Sequence, residues 1–349
     1  MRELHRLPYL TDGNVDQTIA AIIAIQRSDG SIPWNPASHL DPWDHVEAAM
    51  ALSVAGRRRE ADAAFDWMAT VQRPDGAWAA AYRNGAIEDP TLDANFCSYV
   101  AAGAWHHWLC FGDADWLERI WPMVESAIDF TLDLQAGSGE IYWARDETYR
   151  PWPGALLTSS SCIHLSLACA IRIAETLGHE RPDWELSLDL LGAALRRPEL
   201  FEPKDQFSMD WYYPVLSGAF DDVSARARLA ERWDDFVVVG WGARCVANRP
   251  WVTTGETCEL VIALAVAGAT DEARRIFDWV HRLRAGDGNY WTGATFPEGT
   301  IWPREQTAWN AGAVVLARDV LAGGPTRSLF DTPRRTLAID LPATAADPI

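Results

Sequence analysis

The feature that most constrains this chain is a phrase that returns four times: QRSDGSIPW from Gln26 to Trp34, QRPDGAW from Gln72 to Trp78, QAGSGEIYW from Gln135 to Trp143, and LRAGDGNYW from Leu283 to Trp291. Each copy follows an amphipathic stretch and opens a long loop. A second phrase alternates with it, in which an apolar stretch ends in glycine and a charged one starts at once. ALSVAGRRREADAAF, WLCFGDADWLERI and LAVAGATDEARRIF are examples. Glycine suits the residue just past a helix end, and Asp or Glu in the next first turn suits the helix dipole. Repetition of this kind bears on architecture before any single element does.

Together the phrases divide the chain into two alternating sets of helices. A charged, one-faced set spans roughly 13–26, 57–72, 114–134, 182–196, 222–233 and 270–285. A smaller-residued set, apolar nearly all round, spans roughly 43–55, 91–110, 158–177, 209–218, 253–267 and 305–321. A helix that is apolar on every side must be buried, and a one-faced helix lies at the surface. The expected fold is therefore all-α, an (α/α)6 barrel of six helical hairpins over residues 1–324, followed by a tail over 325–349. Irregular loop lengths argue against a linear solenoid. The short glycine turns gather at one end of such a barrel and the long loops at the other, so a site is expected at the loop-bearing mouth.

Charge and composition narrow the partners. A formal net charge of -19 repels phosphate backbones and anionic headgroups, which disfavours nucleic acid and membrane surfaces. The N-terminal MRELHRLPYLTDG has no apolar signal-peptide core, and no apolar run reaches membrane-span length. Six cysteines without a CxxC pair read as buried free thiols in a reducing, cytoplasmic compartment. No metal-ligand spacing is evident among His45, His106, His107 and His164, and no cofactor is implied. A monomer or homodimer is expected.

The mouth segments combine acids with aromatics: HLDPWDHVEAAM, EDPTLDANFCSY, EIYWARDETYRPWPGALLTSSS, QFSMDWYYPV, RPWVTTGETCEL and GNYWTGATFPEGTIWPREQTAWN. Individually, Asp41, Asp89 and Asp210 suit helix N-caps. Collectively, carboxylates that accept hydroxyl hydrogen bonds and indoles that cover an apolar ring face suit a sugar. This places Trp43, Asp44, Asp93, Trp143, Arg145, Asp210, Trp211, Tyr212, Glu256, Trp291 and Trp302 among the expected substrate contacts. Acids at such a mouth favour neutral or cationic sugars, unless Arg145, Arg150 and Arg304 line the pocket.

Residues 91–146, with FGDADWLERIWP and YWARD, resemble six-hairpin glycosidases of the glucoamylase type, as do LLTSSSCIHLSLACAIRIAETLG and NYWTGATFPEGTIWPREQTAWNAGAVVLA. The resemblance covers about residues 40–320. It implies substrate contacts at Asp44 and Asp93, a general acid within Trp143–Glu147, and a base at Glu298 or Glu305. Where glucoamylases carry paired glutamates after the tryptophan, this chain has Ala144-Arg145, which moves the candidate acid to Asp146 or Glu147. The QxxDGxW phrase also resembles repeats of squalene-hopene cyclases and prenyltransferase β-subunits, but no DxDD acid motif is present.

Glycoside hydrolysis needs one protonated and one ionised carboxyl across the scissile bond, and a gap of roughly 6.5–9.5 Å predicts inversion. Two other classes fit the same barrel: a sugar epimerase or lyase with His164 as its base, and a non-catalytic glycan-binding protein.

Overall fold

The computed structural model describes residues 12–333. The N-terminal segment read as lacking a signal peptide and the last residues of the expected tail lie outside that range. One-faced outer helices α1 (Asp12–Ile25), α3 (Arg58–Val71), α5 (Ala114–Leu132), α7 (Pro182–Ala194), α9 (Asp222–Glu231) and α12 (Thr270–Val280) alternate with inner helices. The inner set is α2 (Pro42–Val54), α4 (Ala94–Phe111), α6 (Leu157–Leu177), α8 (Ser208–Leu216), α11 (Thr254–Val266) and α13 (Ala308–Ala322). Two short helices, α10 (Trp233–Phe236) and α14 (Pro325–Phe330), complete the set among the described residues.

Burial separates the two sets as their composition requires. Every residue of α11 is buried, whereas α12 buries only Ala273, Ile276, Phe277 and Val280, a single helical stripe. Each inner helix packs on the next, and α13 returns to α2, so the ring is closed: the fold is an α/α barrel. Helix α6 has the length and apolarity of a membrane span, yet most of it is buried inside the barrel.

The fourfold phrase is a clamp between successive outer helices. The Gln26 side-chain amide donates to Gly30 O (3.0 Å) and to Glu60 O on α3 (2.8 Å). Gln72 does the same to Gly76 O and to Met123 O on α5, both at 2.9 Å, and Gln135 to Gly139 O and Ser187 O on α7, both at 3.0 Å. In the fourth copy Arg284 stands in the glutamine's place and reaches Gln17 on α1 (2.7 Å), which helps close the ring. The phrase needs glycine for two reasons. Gly76 has φ +86°, and a Cβ there would lie 2.1 Å from Ser126 O.

The loops at the N-terminal ends of the inner helices carry short strands. β1 (Ala81–Arg83) pairs with β2 (Ala86–Asp89), and β3 (Leu92–Asp93) pairs with β4 (Ala144–Arg145). β5 (Val237–Val238), β6 (Gly242–Arg244), β7 (Trp251–Thr253) and β8 (Gly293–Thr295) form one antiparallel sheet. At the opposite end, the segment read as a tail begins with α14, packed on α4 and α13. Trp105 Nε1 donates to Thr332 Oγ1 (3.0 Å), Thr326 Oγ1 and His106 Nε2 are 3.0 Å apart, and Phe330 is buried.

Candidate active site

Inner helix α2 begins with Asp41 as its N-cap, which accepts from Asp44 N (2.9 Å). Asp44 and Glu47 follow at intervals of three, so the three carboxyls descend from the mouth along neighbouring turns. Two places round the ring from α2, on the far side of α13, α11 presents Glu256 and, one turn deeper, Glu259. Asp44 is 9% exposed and Glu259 3%. No arginine or lysine pairs with any of these five acids among the described ion pairs.

Burial without a cation raises carboxyl pKa values. Desolvation, then the like charges of Asp41, Glu47 and Glu259, push Asp44 well above the ordinary range. Glu47 is raised well above it by burial and by Glu259. Glu259 is pushed up to about 8 by burial, against hydrogen bonds donated by Tyr212 and Tyr213. Asp93 caps α4 through Asn95 N (2.8 Å) and Phe96 N (3.1 Å), and burial pushes it up to about 7.

Aromatic rings line the space between these acids. Trp43 lies face to face with Tyr99, ring centroids 4.7 Å apart, and its indole donates to Cys162 Sγ (3.4 Å). Trp309 stands edge-on to Trp43 at 6.3 Å. Beneath, Glu47, Glu259, Tyr213 and Cys162 line a small cavity with room for about one water. Among the described residues no three His, Cys, Asp or Glu groups are placed to hold a metal ion.

The residues expected from the sequence divide into three groups. Trp43, Asp44, Asp93, Tyr212 and Glu256 belong to the inner-helix starts around the axis, whereas Asp210 at the start of α8 accepts from Thr158 Oγ1 (2.6 Å) and lines a separate cavity with Trp211 and Arg228. Trp143, Trp291, Trp302 and Glu305 lie on the loops above. There Trp291 carries Arg304 against its ring (5.5 Å) and Glu305 Oε1 accepts from Thr292 Oγ1 (3.3 Å). The third group points elsewhere. Trp211 is buried against the α9–α10 side, stacked on Phe236 with its indole donating to Arg228 O (2.8 Å). Arg145 donates to Tyr149 O and Asp133 O and so ties down its own loop.

The expected acids and base behave differently from Asp44 and Glu259. Asp146 accepts from Thr148 Oγ1 (2.7 Å), Thr148 N (2.8 Å) and Arg150 N (3.0 Å) at the tip of a turn. Those hydrogen bonds, the Thr148 hydroxyl first, lower its pKa, the opposite of what a general acid requires. Glu147 is exposed beside it, and Glu298 is exposed at the turn that follows β8. The epimerase candidate His164 faces outward: its Nδ1 lies 2.8 Å from Ser217 O, and a Cβ on Gly192 of α7 would lie 3.1 Å from its Nε2.

Glu47, Glu259, Tyr99, Tyr213 and Trp309 were absent from the sequence-derived site. A signal was present: acids at three-residue spacing inside helices otherwise apolar all round, where no solvated face exists to explain them.

No protein-family profile matches the chain. It is 49% identical over 314 residues to the MMP endo-(1,4)-3-O-methyl-α-D-mannosidase of Mycolicibacterium hassiacum, covering 90% of this chain and 87% of that one. It is 21% identical over 203 residues to an uncharacterised glycosyl hydrolase of Methanocaldococcus jannaschii, 55% of this chain and 32% of that one. Among solved structures, a glycosidase variant in complex with glucose superposes with a TM-score of 0.69 at 17% identity, covering 92% of this chain and 99% of that one. A D-mannose isomerase gives 0.68 at 9% identity, with 89% and 97% covered. Likeness at such identities concerns the fold alone. The agreement with the first relative spans nearly the whole barrel, including both carboxylate-bearing inner helices, and the chain belongs to the family of that mannosidase: it is a glycoside hydrolase.

Proposed function

We propose that the enzyme is an endo-acting hydrolase of 1,4-linked, O-methylated α-mannose chains, that Asp44 is its general acid and Glu259 its general base, and that it inverts the anomeric centre. The observation that carries this reading is the descent of Asp41, Asp44 and Glu47 on α2 beside Glu256 and Glu259 on α11, with no arginine or lysine paired to them among the described residues. Asp44, its pKa raised well above the ordinary carboxylate range by burial and by the like charge of Asp41, suits donation to the leaving oxygen. Glu259, with a pKa of about 8, is poised near the operating pH as a base should be, and two tyrosine hydroxyls favour its ionised form. Acids on two different inner helices, rather than neighbours on one, suit the wider gap that admits an attacking water.

The substrate class rests on the relative's activity and on the chemistry of the mouth. O-methyl groups add apolar area to a sugar, which indole and tyrosine faces favour. Acids without partner cations disfavour uronates and phosphosugars. The unpaired cysteines are compatible with a cytoplasmic location.

The test is incubation with 3-O-methylated 1,4-α-mannan oligosaccharides beside unmethylated mannan and gluco-oligosaccharides, with the products followed by NMR. Release of internal fragments in the β-anomeric form supports the reading. Equal cleavage of all three substrates sinks the substrate class, and initial α-product sinks inversion.

A further inference from the structure

Of nineteen tryptophans, only Trp152 (47%) and Trp302 (56%) are exposed. Both lie on mouth loops, and each is paired with a second, half-buried tryptophan. Trp152 sits beside Trp143, ring centroids 5.9 Å apart, in the loop between α5 and α6. That loop is pinned above the start of α4 by the β3–β4 pairing of Leu92 with Arg145 and Asp93 with Ala144. Trp302 stands edge-on to Trp251, centroids 5.0 Å apart, where the loop before α13 meets β7 before α11. The Trp251 indole donates to Trp302 O (2.6 Å), which fixes that pair.

The ring order places the two pairs in relation to the acids. Inner helices run α2, α4, α6, α8, α11, α13 around the barrel and back to α2. The gap between α4 and α6 is therefore directly opposite the gap between α11 and α13. A line from one indole pair to the other crosses the carboxylate-lined axis. Exposed indole is unfavourable in water and finds its use when an apolar face covers it.

We propose that Trp143–Trp152 and Trp251–Trp302 are two outer platforms of a cleft that crosses the mouth, each stacking a sugar ring of a linear, uncharged oligosaccharide on either side of the scissile bond. This rests on the endo-hydrolase reading and extends it: a chain held at both ends is cut internally, whereas a single platform would serve one chain end.

Trp152→Ala, Trp302→Ala and the double variant test it, with Leu186→Ala as a control on the exposed outer surface. The readout is the ratio of kcat/KM on long methylated mannan oligosaccharides to that on a short aryl mannoside. Each single variant is expected to lower that ratio by about three- to tenfold, and the double variant by roughly the product, while the control leaves it unchanged. A ratio unchanged in the double variant overturns the proposal, and so does a fall caused by one tryptophan alone, since the cleft is then one-sided. Calorimetry on Asp44→Asn with the same oligosaccharides separates the two readings. Chain binding that weakens in both tryptophan variants, from a wild type that cleaves none of these chains, leaves the platforms standing and removes the endo-acting methylmannan reading.

Discussion

Tyr213 donates a 2.6 Å hydrogen bond to Glu259, and its neighbour Tyr212 donates to the other oxygen of the same carboxylate. Two consecutive residues of α8 thus converge on one acid of α11. Both hydroxyls are held protonated by burial, so they remain donors across the working pH range. They offset part of the desolvation that raises Glu259.

Tyr213→Phe removes one donor to the ionised form and so raises the Glu259 pKa further. The acidic limb of the kcat/KM profile is expected to move up by about one pH unit, with roughly tenfold lower activity at pH 7 and little change above pH 9. A pH–rate profile of the variant decides this. A parallel drop at all pH values would assign Tyr213 to packing.

Asp44→Asn and Glu259→Gln should each lower hydrolysis by about 10²–10⁴-fold. Asp146→Asn and Glu298→Gln, on exposed turns, should stay within a few-fold of wild type. Steady-state assays on one oligosaccharide compare all four, and a dead Glu298→Gln enzyme would return the base to the loop before α13.

Asp93→Asn separates a cap from a charge. Asparagine caps a helix about as well as aspartate, so α4 keeps its N-terminus. The folded-state pKa of Asp93, about 7, lies above its unfolded value, so the stability linked to this carboxyl is full below the unfolded pKa and is lost as pH rises towards 7. The variant is expected to be more stable than wild type at pH 8, by about 2–4 kcal/mol at most, and no more stable at pH 4. Urea midpoints at the two pH values test it, and a loss of stability at pH 8 would contradict the sign.

Gln72→Ala opens one clamp of the outer ring, leaving Gly76 O, Met123 O and Ser126 Oγ without their shared donor. A loss of about 1–3 kcal/mol is expected. Thermal unfolding should show it while kcat barely changes, because the clamp lies between outer helices, away from the acids.

The sequence by itself determined the barrel. Inner and outer helices differ in whether they have a polar face, and that difference is local in the chain, readable from α11 and α12 without knowing what either touches. The recurring Gln, Gly and Trp likewise declared a repeated junction, because its turn is made within nine residues. Tertiary structure alone decided the site. Asp44 and Glu259 are more than two hundred residues apart, and what distinguishes them from Asp146 or Glu298 is not residue type but surroundings. One pair is buried without cations, where desolvation and like charge raise both pKa values. The other two sit on exposed turns, where the Thr148 hydroxyl and backbone amides lower the pKa of Asp146 and Glu298 faces solvent. A carboxyl's pKa depends on the dielectric and charges within several ångströms, and only ring closure through α13 brings α2 and α11 together.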